Sequence, residues 1–185
     1  MSNRSNYVSY VLLAGAMWGI AEATLGHLLH LLPSIAFIPN VSGAVMFPIG
    51  LLFMVLAMRA TGNASAGFGV AAVAAAVKLS SLALPFVTFA FVRSPVLAIL
   101  GEGVAVSLLW RFLPLKLGPT LPVRAFAFAV SWRALFLGSN IALGIERGIM
   151  AKPQSVIMRF LWLDSLFNAV LISAVIVGWG VLFSH

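Results

Sequence analysis

Long apolar stretches, broken by short clusters of proline, glycine and charge, set the pattern of this chain. Six of them read as helices crossing a hydrocarbon core, which takes roughly 20 residues of helix: about residues 7–32, 43–58, 65–92, 95–113, 123–143 and 156–183. Between the first two lie residues 33–42, with Pro33 and Pro39 but no charge. They break the helix while staying apolar, as a connector at or dipping into the membrane does. The second stretch is short and ends at Arg59 and the turn Thr61-Gly62-Asn63. The third is longer than a bilayer requires, and Pro85 kinks or divides it. Arg93-Ser94-Pro95 reads as the next turn, with Pro95 in the first turn of the fourth helix, where its missing N–H costs nothing. Arg111, Lys116 and Arg124, around Pro114, Pro119 and Pro122, form the most basic connector. Gly144 ends the fifth stretch, followed by Glu146, Arg147, Lys152 and Pro153.

The pattern predicts an all-α integral membrane protein, multi-pass, folded as a compact bundle of six transmembrane helices in a single domain over residues 1–185. An open sheet edge cannot face lipid, so strands have no place in it. Composition supports this: 62% of the residues are apolar and 8% charged, too few charges for a water-facing skin. The partner of most of the surface is therefore the lipid bilayer. A cleavable leader is the competing reading of the first stretch, since Arg4 precedes it and Ala14-Gly15-Ala16 imitates a cleavage site. The apolar run continues well past that point and contains Glu22, which favours a span.

The chain has no cysteine, which excludes disulfides, thiolate metal sites and thiol nucleophiles. The net charge of +7 reads as loops anchored near anionic headgroups, and nucleic acid is not implied as a partner. On the side of the termini lie Arg4, Arg59, Arg111, Lys116 and Arg124; opposite lie Arg93, Arg147, Lys152 and Arg159. That margin, with the compact cluster at 111–124, puts both termini in the cytoplasm.

Glu22, Lys78, Glu102, Arg133 and Asp164 lie deep in apolar runs. Each costs roughly 2.5–3.5 kcal/mol if it faces acyl chains alone, so all five are expected to face inward. Lys78 is expected to pair with Glu22 or Glu102, and Arg133 with Asp164 or Glu102. Three acids against two bases leave one carboxylate to be protonated, hydrogen-bonded or matched by an external cation. Such groups can simply fix helix order. Five of them, with Asn140, Asn168, Ser107 and Ser131, suggest a polar interior that receives a small-molecule ligand.

His27 and His30 stand three residues apart near the end of the first span, with Glu22 on a similar face. Two histidines and a carboxylate suit nickel, cobalt, zinc or haem iron, so the two are candidate metal ligands. Histidines at a helix end also commonly bond only water or headgroups. No further cofactor signature is legible. Trp18 and Trp132 lie mid-span and either pack in the core or form a platform for a flat ligand. Gly15/Gly19/Ala23 and Gly67/Ala71/Ala75 make smooth stripes for close helix approach, either within the chain or against another protein.

In size, six-helix layout, polar interior and small-residue stripes, the whole chain resembles the substrate-binding S components of energy-coupling-factor transporters. Those proteins carry an Ala-x-x-x-Ala docking signal on the first helix. Here Gly15/Gly19/Ala23 occupy that helix, and the alanine form occurs in the third span as Ala71/Ala75 and Ala72/Ala76. The resemblance implies a bacterial inner-membrane protein that captures a vitamin or metal-like micronutrient from the outer face for uptake. Residues 33–42 would form part of a gate. Glu22, His27, His30, Trp132 and Asn140 would be the ligand-site residues, with Lys78, Glu102, Arg133 and Asp164 as supporting charges. It also implies a membrane scaffold subunit and ATPase subunits, because the chain itself has no Walker motif. The competing classes are a small intramembrane enzyme acting on a lipid or quinone, and a non-catalytic or haem-binding anchor of a larger complex.

Overall fold

The computed structural model describes the backbone of residues 2–26, 28–29, 41–85, 87–145 and 151–183. The described residues hold six long helices and no strand: α1 (Ser2–Ala21), which continues as a π-helical turn over Glu22–Gly26; α2 (Val41–Thr61); α3 (Ser65–Ser80), followed by a 3-10 turn over Ser81–Ala83; α4 (Phe89–Trp110); α5 (Leu121–Leu143); and α6 (Gln154–Phe183). All six are long and apolar enough to cross a membrane.

Several helix limits differ from the sequence expectation. The third apolar stretch stops at the 3-10 turn, and Leu84, directly before Pro85, is extended at φ −80° and ψ 136°. The clash of a proline ring with the preceding residue favours that conformation. The chain then re-enters a helix at Phe89, so Arg93-Ser94-Pro95 is not a turn, and Pro95 sits inside α4. The helix runs through Pro95 at the expense of the hydrogen bond that its missing N–H would make to the Phe91 carbonyl. The second helix is also no short span: it covers 21 residues and carries Pro48 inside it.

The helices pack in the order α1, α3, α4, α5, α6, each against the next, while α2 lies against α1, α3, α4 and α6. Every helix except α2 presents large apolar side chains outward, among them Leu13, Phe68, Leu108, Val123 and Val170. α2 is thus the central post, and the surrounding surface has the chemistry of a lipid contact. Glycine makes the closest approaches possible. A Cβ at Gly15 would lie 2.5 Å from Val73 Cβ, and one at Gly19 equally near Val77 Cβ, so α1 rides directly on α3. On the other side of α3, Ala71 fits against Gly103 of α4, and the Trp18 indole lies on Gly50 of α2. Both small-residue stripes are therefore occupied within the chain, and Trp18 is a core residue, fully buried.

Opposite ends of the bundle differ. At the end holding the termini, Tyr7 and Ser65 hydroxyls meet at 3.2 Å. There Arg59 donates to the Leu115 carbonyl at 2.9 Å and Arg124 to the Pro114 carbonyl at 2.6 Å, which folds the basic connector onto the helix ends. At the far end the helices are uneven. From the Ala71–Gly103 contact, α3 rises about nine residues to Ser80, roughly 14 Å, while α4 rises about fourteen to Phe89, roughly 21 Å. α4 overhangs α3 by more than a turn, and the space beneath the overhang is the cavity described next.

Candidate functional site

The far end of the bundle encloses a cavity of about 730 Å³, bounded by the π turn after α1, the first turns of α2, the end of α3, the overhanging half of α4, and α5 and α6. That volume is in the range of small-molecule sites. Most of the wall is apolar, with Ile99, Phe91, Phe136 and Phe160 among its residues, and the charged groups on it are Glu22, Lys78 and Glu102.

Glu22 opens the π turn, the irregular helical feature that recurs at functional sites. Its carboxylate folds back over Gly26, where a Cβ would lie 2.8 Å from Oε2, so glycine there makes room for the acid. The buried Trp18 N–H approaches the same carboxylate without completing a hydrogen bond of normal geometry. Lys78, near the end of α3, donates from Nζ to the main-chain carbonyl of Glu22 at 3.0 Å, and its charge lies within reach of the Glu22 carboxylate. Glu102, midway along α4, is 4% exposed, and its Oε2 is buried with no hydrogen-bond partner. Glu22 and Arg133 are the charged groups close enough to act on it.

Trp132 forms part of the wall, is 2% exposed, and keeps its indole N–H buried and unbonded. Phe47, Phe160 and Phe136 surround it with ring centroids at 5.4, 6.0 and 6.3 Å. Pro95 and Phe91 also line the cavity.

A second polar cluster lies behind this wall. Arg133 hydrogen-bonds to Asn168 Oδ1, to Ser165 Oγ at 3.3 Å and to the Ala129 carbonyl at 3.2 Å. Asn168 in turn donates to the Ala44 carbonyl at 2.6 Å, so one chain of bonds ties α5 to α6 and α6 to α2. The guanidinium covers the Trp132 ring at 4.6 Å and the Phe160 ring at 5.3 Å. Asp164 is the acid that acts most strongly on Arg133. Neither Arg133 nor Asp164 lines the cavity.

Of the residues singled out from the sequence, the structure brings Glu22, Lys78, Glu102 and Trp132 together on one cavity. It separates Arg133 and Asp164 into the clamp behind. Asn140 does not line the cavity either: it is 1% exposed and its amide donates to the Phe136 carbonyl at 2.8 Å. His27, His30 and most of the 33–42 connector lie outside the described residues. The described residues contain no group of three histidines or acids able to hold a metal ion. Sequence reasoning missed Phe136 and Phe160, whose part in the wall follows from packing around Trp132. The spacing of Trp132 and Phe136, one helical turn apart, was the available signal.

No family model matches the chain, and no curated protein or solved structure is significantly similar to it.

Proposed function

We propose that this chain is a membrane-embedded binding subunit that captures a small micronutrient in the far-end cavity for uptake, together with partner subunits that supply a scaffold and ATP hydrolysis. The observation that carries the reading is the cavity itself: about 730 Å³, walled by side chains from all six helices or their ends, with a buried carboxylate oxygen left unbonded on its wall. A bundle whose polar groups served only to fix helix order would close such a space with apolar side chains, because a buried unsatisfied acid is destabilising. The arrangement suits binding, and the resemblance of the sequence to energy-coupling-factor S components in size and helix number supports the same reading. Both small-residue stripes are engaged inside the chain, so a scaffold subunit would dock on the outward apolar faces, among which that of α1 carries Val8, Leu12, Met17 and Ile20. With both termini in the cytoplasm of a bacterial inner-membrane protein, the cavity opens to the outer face, the side from which a nutrient arrives.

The test is purification of the full chain from its membrane without added ligand, followed by mass spectrometry of co-eluting small molecules. A micronutrient enriched over a membrane control supports the proposal. Co-eluting haem points to an anchor, and a lipid-derived product points to an enzyme.

A further inference from the structure

Among the described residues, three acids and two bases are buried in the bundle: Glu22, Glu102, Asp164, Lys78 and Arg133. The bases are already engaged. Arg133 is held by Asn168, Ser165 and a main-chain carbonyl, with Asp164 as its principal counter-charge. Lys78 is bonded to the Glu22 carbonyl with its charge set against the Glu22 carboxylate. Glu102 is left over. It is the most enclosed carboxylate on the cavity wall, 4% exposed, and its buried Oε2 has no hydrogen-bond partner. Among the described residues, the cavity wall thus carries one acid more than it has bases, and an unpaired carboxylate in such a place is costly.

Among the other polar groups on the wall, the Trp132 N–H is an unbonded donor, and Lys78 gives one of its three N–H donors to the Glu22 carbonyl. Lys78, the single base among the described residues of the wall, is set against the Glu22 carboxylate. An anionic ligand would find no free cation among the described residues of the wall. The remainder is aromatic and aliphatic, with Trp132, Phe136 and Phe160 grouped on one side.

Resting on the reading of this cavity as a ligand site, we infer that it takes an organic cation: an amine or other nitrogen-centred cation carried on an aromatic or apolar body, with the charge between Glu22 and Glu102 and the body against Trp132, Phe136 and Phe160. A bare divalent metal fits less well. Two carboxylates amid aromatic rings supply too few hard donors, and no third histidine or acid joins them among the described residues.

Three probes with one indole body and different charge test the class: tryptamine, tryptophol and indole-3-acetate. Each is titrated, by equilibrium dialysis and thermal unfolding, against the full chain in lipid nanodiscs, with elemental analysis of the same preparation. Tryptamine is expected to bind roughly tenfold or more tighter than the other two. Glu102→Gln is expected to remove that preference while keeping wild-type elution and helicity. Equal or tighter binding of tryptophol or indole-3-acetate would overturn the cation assignment and leave the cavity as a ligand site, and a stoichiometric divalent metal would do the same. No binding of any probe at millimolar concentration would sink both the assignment and the binding reading. Should Glu102→Gln not fold, the wild-type charge series decides the class alone, and Glu22→Gln supplies the variant arm.

Discussion

Lys78 Nζ and the main-chain carbonyl oxygen of Glu22 lie 3.0 Å apart, so the end of α3 is tied to α1 at the point where α1 becomes a π turn. One ammonium thereby serves two needs. It adds a charged donor to a carbonyl in the irregular turn, and it offsets the carboxylate of the same residue.

Lys78→Met should therefore do more harm than loss of one hydrogen bond. Leaving Glu22 buried without its counter-charge is expected to cost about 3 kcal/mol, read as a lower unfolding midpoint of the protein in detergent. Adding Glu22→Gln should recover part of that loss, because the two charges go together. A Lys78→Met protein as stable as the wild type would show that the contact carries no weight.

The α1–α3 seam gives a steric prediction. Gly15→Ala puts a methyl 2.5 Å from Val73 Cβ and 2.8 Å from the Val70 carbonyl oxygen, so the two backbones must move apart. A loss of about 1–3 kcal/mol is expected. Gly138→Ala, inside α5 and meeting nothing within 4 Å, is the matched control and should be neutral to stabilising by up to about 1 kcal/mol. Comparable unfolding midpoints for the two variants would show that the seam is not closely packed.

Asn168 links Arg133 to the Ala44 carbonyl, and Asn168→Ala strands both groups in the interior. About 1–3 kcal/mol of stability should be lost for the unmet polar groups. Arg133→Lys should fare no better, since an ammonium cannot span Asn168, Ser165 and the Ala129 carbonyl at once. Wild-type melting of Arg133→Lys would mean that only the charge matters there.

The proposed orientation is checkable because the native chain contains no cysteine. A single cysteine at Gln154, the first residue of α6, should react with an impermeant maleimide in intact cells, and one at Asn63, in the α2–α3 turn, should react only after the membrane is opened. The reverse pattern would place the cavity mouth on the cytoplasmic side.

Much of this arrangement was legible in the sequence, for a physical reason: a charge inside an apolar run has to face inward, so Glu22, Lys78 and Glu102 announce the interior before any coordinate does. The chain breaks were legible where chemistry is unambiguous, as at Gly144, which ends α5 at φ 60°. They were not legible between Pro85 and Pro95. Two prolines ten residues apart in one apolar stretch are equivalent in pattern, and only packing decides that the helix tolerates the second. Asn140 misled because α5 is buried against both α4 and α6, so its buried arc is wider than the part that faces the cavity. Phe160 carried no signal at all, since an aromatic residue in a span is by default core or lipid contact, and its role depends on where Trp132 lies in space.

The central claim, that a bundle with an oily exterior encloses a wet and negatively charged cavity, is tested most directly by thiol chemistry. Ala98 is on the cavity wall, whereas Ala74 is fully buried between helices. Ala98→Cys should react readily with a small cationic thiosulfonate, several-fold faster than with its anionic analogue, while Ala74→Cys stays unmodified in the folded protein. Ala98→Cys as inert as Ala74→Cys would show that water does not reach the site, and faster reaction with the anionic reagent would contradict the charge assigned to it.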